Sequence, residues 1–213
     1  MVVYDSVSDP RLYYLRDFQS KRLRDTYSDL AAMPEYEPAC HFFFNRLYST
    51  EDSTRRDASF RKVYHLAKRF LGGDVVRSMA ELIELQELTV RLDERLLEVL
   101  DSENAPREFD MATYERAYRM SDNYRERVKQ IELLEFTNRL IFKISHRFGI
   151  GMVLKGLRRA CLIFGETHLV DFLMDGYRAF SRLREIDTLA EAIVSRESER
   201  LDRIYAPEPA EKS

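Results

Sequence analysis

Six cations stand without an acid among them between Phe136 and Gly165: Arg139, Lys143, Arg147, Lys155, Arg158 and Arg159. Arg139, Lys143 and Arg147 recur every four residues, which puts them on one helical face while Ile141, Ile144 and Phe148 take another. Lys155 and Arg159 repeat that spacing beyond Gly149 and Gly151, which are expected to interrupt the helix. Two basic faces converging across the break would hold a small phosphate- or carboxylate-bearing ligand, because guanidinium N–H groups match paired oxygens. A neighbouring helix N-terminus would add to the attraction. The bland alternative is a solvated face paired with acids such as Glu132, Glu166 and Asp171. A third reading is a basic surface for peripheral membrane contact or a partner protein.

Two other charged groups invite the same comparison. Arg55-Arg56-Asp57, followed by Arg61 and Lys62, lies where a polar stretch enters a helix, and Asp57 reaches Arg61 at i+4. Arg196 and Glu197, with Glu199, Arg200 and Arg203, form a charged helical face in which Glu199 and Arg203 have the favourable i,i+4 order. Arg56, Asp57, Arg61, Arg196 and Glu197 are therefore expected to form a structural polar network.

No catalytic set emerges. His41, His65, His146 and His168 are the only imidazoles. Ferritin-like metal bundles need Glu-x-x-His pairs; Glu166 and His168 have the wrong spacing, and Glu81, Glu84 and Glu87 lack a histidine at i+3. No metal is expected. His65 or His146 would suit a haem axial ligand, but no CxxCH motif supports attachment, and no cofactor is expected. Gly149 and Gly151 lack the third glycine and preceding strand of a dinucleotide fold, and Lys155 precedes Gly156 instead of following it as in a P-loop. Ser145-His146 and Cys40-His41 are adjacent pairs whose side chains face apart on a helix. Cys40 and Cys161 form neither a disulfide framework nor a CxxC pair and are read as small core residues.

These residues must be carried by helices. Seven glycines and six prolines in 213 residues fall mainly between periodic segments. Leu12, Leu15, Phe18, Leu23, Tyr27 and Leu30 predict a helix over 11–33, stopped before Pro34. A second helix over 39–48 is crowded with Phe42, Phe43 and Phe44, and a third over roughly 60–70 is expected to end at Gly72 and Gly73. Apolar spacing from Val75 to Leu100 predicts a long helix, and 101–110 is a connector. Further helices are expected over 111–120, onward to Phe148, over 152–164 and 167–181, and after Asp187 as an N-cap.

Hydrophobic residues make up 45% and charged residues 33%, a mixture able to form a core. Formal net charge is −3, so a nucleic-acid partner is not expected; outside the acid-free stretch 28 basic residues face 37 acidic ones. The N-terminus lacks a basic region followed by an apolar run, and no 18-residue apolar segment exists, so the expected location is cytoplasmic.

Phe42-Phe43-Phe44-Asn45-Arg46-Leu47-Tyr48 resembles the aromatic signature of an uncharacterised bacterial family, the FFLEELY-motif proteins, with Asn45 and Arg46 at its two acidic positions and Phe44 at its leucine. The likeness continues through Arg55-Arg56-Asp57, Leu88-Thr89, Leu92-Asp93, Gln130-Ile131, Gly176, Ala179-Phe180, Ile193, Arg196-Glu197 and Tyr205. The family often carries histidine where this chain has Gln86, and glycine-proline at Ser49-Thr50. The resemblance implies a shared helical fold and transfers no catalytic residues.

The sequence thus predicts an all-α protein: a single-domain multi-helix bundle or layered helical array over 11–205, with a flexible 1–10 and a disordered 206–213. Its expected role is a noncatalytic regulatory or scaffold protein that associates with itself or another protein. The alternative is a small-anion binding protein or enzyme using the basic helical face.

Overall fold

The structure is a computed structural model that describes residues 10–44, 72–163 and 168–207, and among these it is all-α with no strand. The helices are α1 (Pro10–Thr26), α2 (Ser28–Ala31), α3 (Glu37–Phe42), α4 (Gly72–Ser102), α5 (Met111–Met120), α6 (Tyr124–Ser145), α7 (Ile150–Ile163), α8 (His168–Phe180) and α9 (Asp187–Tyr205). Helix α6 is the hub of the multi-helix array, packing against α4, α9, α8 and α7. Helix α5 closes the far end against α4 and α9.

The apolar periodicity explains which faces meet. Leu85, Leu88, Leu92, Leu96 and Val99 line one side of α4 and are buried, as are Leu189, Ile193, Leu201 and Ile204 on α9. The interior divides into three clusters. The largest joins Leu23, Tyr27, Phe42 to Phe44, Leu85, Leu88, Leu134, Phe180 and Ile193. A second, at the opposite end, joins Leu15, Leu96, Phe109, Tyr114, Tyr118, Leu201 and Ile204. A small third cluster seats α7 on α8 through Ile150, Leu154, Val170 and Met174.

Several expected boundaries are corrected. The helix predicted over 11–33 breaks at Tyr27, whose backbone leaves helical geometry at φ −112°, ψ 20°. The cause lies far along the chain: Arg196 Nη1 donates to the Thr26 carbonyl at 2.6 Å, and the Tyr27 hydroxyl donates to Glu197 at 3.0 Å. Gly72 and Gly73 lie within α4 and neither takes the left-handed conformation expected of a helix stop, while the segment expected over roughly 60–70 lies outside the described residues. Asp187 is the first residue of α9 and makes no cap; Glu185 Oε2 accepts from the Thr188 N–H at 3.1 Å, leaving Asp187 to pair with Arg139.

Helix ends are closed by left-handed residues at Asn104, Asp122 and Gly149. At Gly149, with φ +82°, the chain turns from α6 into α7. Gly176 serves a different purpose: a Cβ there would lie 3.0 Å from the Phe42 ring, so the missing side chain lets α3 and α8 approach. Phe42 in turn meets Phe180 edge-on, with centroids 6.2 Å apart.

Candidate functional site

Between the two larger apolar clusters lies a layer of polar side chains around a cavity of about 40 Å³. That is room for about three water-sized groups. Five helices contribute, each by residues one turn apart on its inward stripe. They are Gln19 and Arg22 from α1, Thr89 and Asp93 from α4, Tyr114 and Tyr118 from α5, Arg127 and Gln130 from α6, and Glu197 and Arg200 from α9.

The layer is built from linked pairs. Arg22 Nη1 donates to both oxygens of Glu197, at 2.7 and 2.8 Å, and Tyr27 adds its hydroxyl to the same carboxylate. Asp93, 2% exposed, accepts from Gln19 Nε2 at 3.1 Å and pairs with Arg16 at 3.5 Å. Arg127, 4% exposed, donates to Gln130 Oε1 at 3.1 Å and to the Leu92 carbonyl at 3.4 Å, and its guanidinium lies 4.2 Å over the Tyr118 ring. Gln130 passes the chain on to Thr89 at 2.9 Å. Arg200 faces the Tyr114 and Tyr118 rings and binds Glu115 at 3.2 Å.

Two features set the electrostatics. The lining carries three guanidiniums, Arg22, Arg127 and Arg200, against two carboxylates, Asp93 and Glu197. Adding the outer partners Arg16, Arg203 and Glu115 leaves the positive surplus in place. Burial pushes the Asp93 carboxyl up, opposed by Arg16, Arg127 and Gln19, so protonation there would only enlarge that surplus. Burial opposes the charge on Arg22, but Glu197 together with Tyr114 and Tyr118 outweighs it and holds the guanidinium above its ordinary value. Burial raises the Tyr118 phenol to about 12, keeping it a neutral donor. The second feature is that the Nε–H groups of Arg22 and Arg127 are buried and find no hydrogen-bond partner among the described residues. Unmet donors on buried cations are costly.

The sequence-predicted site residues are distributed differently. Arg139 is engaged by Glu135 at 2.9 Å and by Asp187, tying α6 to the start of α9. Arg158 pairs at 2.6 Å with Asp171, one of the acids its sequence context suggested. Lys143, Arg147, Lys155 and Arg159 are exposed and hold no ion pair among the described residues. Arg56, Asp57 and Arg61 lie outside the described residues.

Glu197 turns toward α1, and Arg196 toward the end of α1 and α2 at the surface. Glu197 joins Arg22, while Arg196 grips Asp29 with two bonds of 2.7 Å. The Glu199 to Arg203 pair does not form. Glu115 on α5 collects Arg203 and Arg200 together, and Ser195 binds Glu199. Missed entirely were Arg22 and Arg127 as interior groups. The available signal was polar type at an apolar position: Glu197 falls four residues after Ile193 and four before Leu201.

Cys40 is buried, and burial raises its thiol to about 11, the behaviour of a core residue. The Cys161 side chain is not among those described. His146 ends α6 with its ring nitrogens at 2.9 and 3.1 Å from the Phe142 and Leu183 carbonyls. Among the described residues no group of three or more His, Cys, Asp or Glu is placed to hold a metal ion. No helix of the described residues is long and apolar enough to cross a membrane.

The Arg196–Asp29 clasp carries a pH dependence. Hydrogen bonds from Arg196 hold the Asp29 carboxyl down at about 2, below its ordinary value of 3.8. A lowered folded-state value means stabilisation that is present above about pH 4 and lost as pH falls toward 2. Asp29 is more than half exposed, so solvent screening keeps the effect to about 0.2–1 kcal/mol. Asp29→Asn should lower Tm by about 1–3 °C at pH 7, with the gap narrowing from pH 4 downward. Equal melting curves at pH 7 would show that the clasp contributes nothing.

Fold and site together define an all-helical protein with a cationic polar cavity in its interior. The chain belongs to the family described as Domain of unknown function (DUF8198), which matches residues 4–211. No curated protein and no solved structure matches it.

Proposed function

We propose that this chain is a noncatalytic, ligand-sensing regulatory protein whose interior cavity binds a small anion, the carboxylate or phosphate group of a metabolite. The observation that carries the reading is the positive surplus around a polar cavity, together with two buried guanidinium N–H donors that lack partners among the described residues. An anion would balance that charge and accept those bonds, the setting in which guanidiniums bind most strongly. Binding is favoured over turnover because both lining carboxylates are already held, Asp93 by Arg16 and Gln19 and Glu197 by Arg22 and Tyr27.

Residues quoted for the FFLEELY resemblance support this placement. Thr89, Asp93, Gln130, Ile131, Ile193 and Glu197 all line the cavity. The same resemblance, which runs from about Ala39 to Tyr205, supports a bacterial setting.

Thermal unfolding of the full chain in sodium acetate, sodium phosphate and sodium chloride at matched ionic strength tests the proposal. Acetate or phosphate at about 100 times its Kd should raise Tm by about 5–10 °C over chloride. Arg127→Met removes the surplus charge without orphaning a carboxylate and should abolish the rise while the chain stays helical. Identical curves in all three salts, or an undiminished rise in Arg127→Met, would overturn the assignment.

A further inference from the structure

The corner where α6 hands over to α7 is the most exposed apolar part of the described surface. Phe148 is wholly exposed, and Met152 and Leu162 are 69% and 55% exposed. The left-handed Gly149 turns the chain directly after Phe148, leaving that ring at the tip. On α7, residues Met152, Lys155, Gly156, Arg159 and Leu162 share one arc of about 120° at 100° per residue. A Cβ added at Gly156 would meet nothing within 4 Å, so this arc looks outward. The opposite side of α7 is fixed to the protein by Ile150 and Leu154, and by Gly151, where a Cβ would sit 2.8 Å from the Tyr177 hydroxyl.

Lys155 and Arg159 share the arc of these apolar residues, and Lys143 and Arg147 lie at the end of α6 that leads into it. Lys143, Arg147, Lys155 and Arg159 are exposed, hold no ion pair among the described residues, and lie in a stretch without any acid. The neighbouring acid Asp171 is already bound to Arg158. The rest of the chain is acidic, so these four cations, without an ion pair among the described residues, are a local basic excess on a protein of negative net charge.

We propose that this corner docks on an anionic lipid surface, with Phe148, Met152 and Leu162 entering the headgroup boundary and Lys143, Arg147, Lys155 and Arg159 pairing with lipid phosphates or carboxylates. Charge complementarity selects this occupant. A second copy meeting the same patch across a two-fold axis would oppose four cations to four cations. A nucleic-acid strand would need a run of aromatic faces for successive bases, whereas among Phe148, Met152, Val153 and Leu162 a single ring, Phe148, is present. Cations alongside exposed apolar side chains are the pattern of an interfacial anchor. This site is separate from the interior cavity and stands or falls independently of it.

Co-sedimentation of the full chain with phosphatidylcholine vesicles, with and without phosphatidylserine, tests the proposal. The chain should pellet with the anionic vesicles only, and less so as salt rises from 0.1 to 0.5 M. Lys155→Gln with Arg159→Gln should weaken partitioning about 25-fold, at about fivefold per cation. Phe148→Ser with Met152→Ser should weaken it at least tenfold with no change in charge. All four side chains are exposed, so each variant should keep the parent helical signal and unfolding midpoint. Equal partitioning to neutral vesicles, no partitioning to either kind, or unchanged partitioning of the glutamine variant would overturn the proposal. Pelleting without vesicles would assign the surface to a second copy, and capture of single-stranded oligouridylate without vesicle binding would assign it to nucleic acid; either result overturns it too.

Discussion

Glu197→Leu should destabilise the folded chain by about 3 kcal/mol. The substitution leaves the Arg22 guanidinium, 13% exposed, facing an apolar group, and removes the acceptor of the Tyr27 hydroxyl. A charge left unpaired in a shielded site loses its partner's attraction but keeps its desolvation penalty. For a chain of this size the loss corresponds to a fall in Tm of about 6–12 °C. The double variant Arg22→Met with Glu197→Leu should recover most of it, because a packed apolar pair often equals a shielded ion pair. The chain has no tryptophan, so urea unfolding is best followed by the helical circular-dichroism signal. A single-variant loss under about 1 kcal/mol, or a double variant no better than the single, would show that the pair is solvated in practice.

Phe180→Ala should cost about 3–5 kcal/mol. The ring is fully buried at the end of α8, meets Phe42 edge-on, and belongs to the cluster that also holds Leu183, Leu189 and Ile193. Its removal leaves a void bordered by α3, α8 and α9 that rigid helices close only in part. The contrast is Phe148→Ala, the same chemical change at a fully exposed ring, which should stay within about 0.5 kcal/mol. Comparable losses for the two would contradict the packing described here, and the urea midpoint of each variant decides.

Particular residues show how far the amino-acid order reached. The apolar spacing along Leu88, Leu92, Leu96 and Val99 marks a long helix unaided, and Gly149 marks the turn that follows α6, because period and glycine are local signals. The break at Tyr27 has no local signal. Its neighbours Leu23 and Leu30 keep helical spacing across it, and the group that holds the Thr26 carbonyl is Arg196 on the last helix. Ion-pair choice is equally a tertiary outcome. Glu199 and Arg203 have the right spacing to meet, yet Glu115 on α5 offers Arg203 two oxygens at once, at 2.9 and 2.8 Å. The acid-free stretch was plain in the sequence, but which of its cations find acids is decided by Asp171 and Asp187 arriving from other helices. The interior cavity was written in the pattern as polar residues on apolar stripes; five helices had to be superposed before those positions met.

The polar layer between the two apolar clusters also acts as a key. Apolar stripes are interchangeable along their length, and a helix that slides by one turn, about 5.4 Å, finds leucines opposite leucines again. On α9 that shift would carry Glu197 away from Arg22 and bring Ile193 or Leu201 in its place. It would strip Tyr27 of its acceptor in the same movement. The misregistered bundle therefore loses several charge-assisted bonds together, so the layer ties each helix to one axial position and makes the native packing unique among arrangements of similar greasiness.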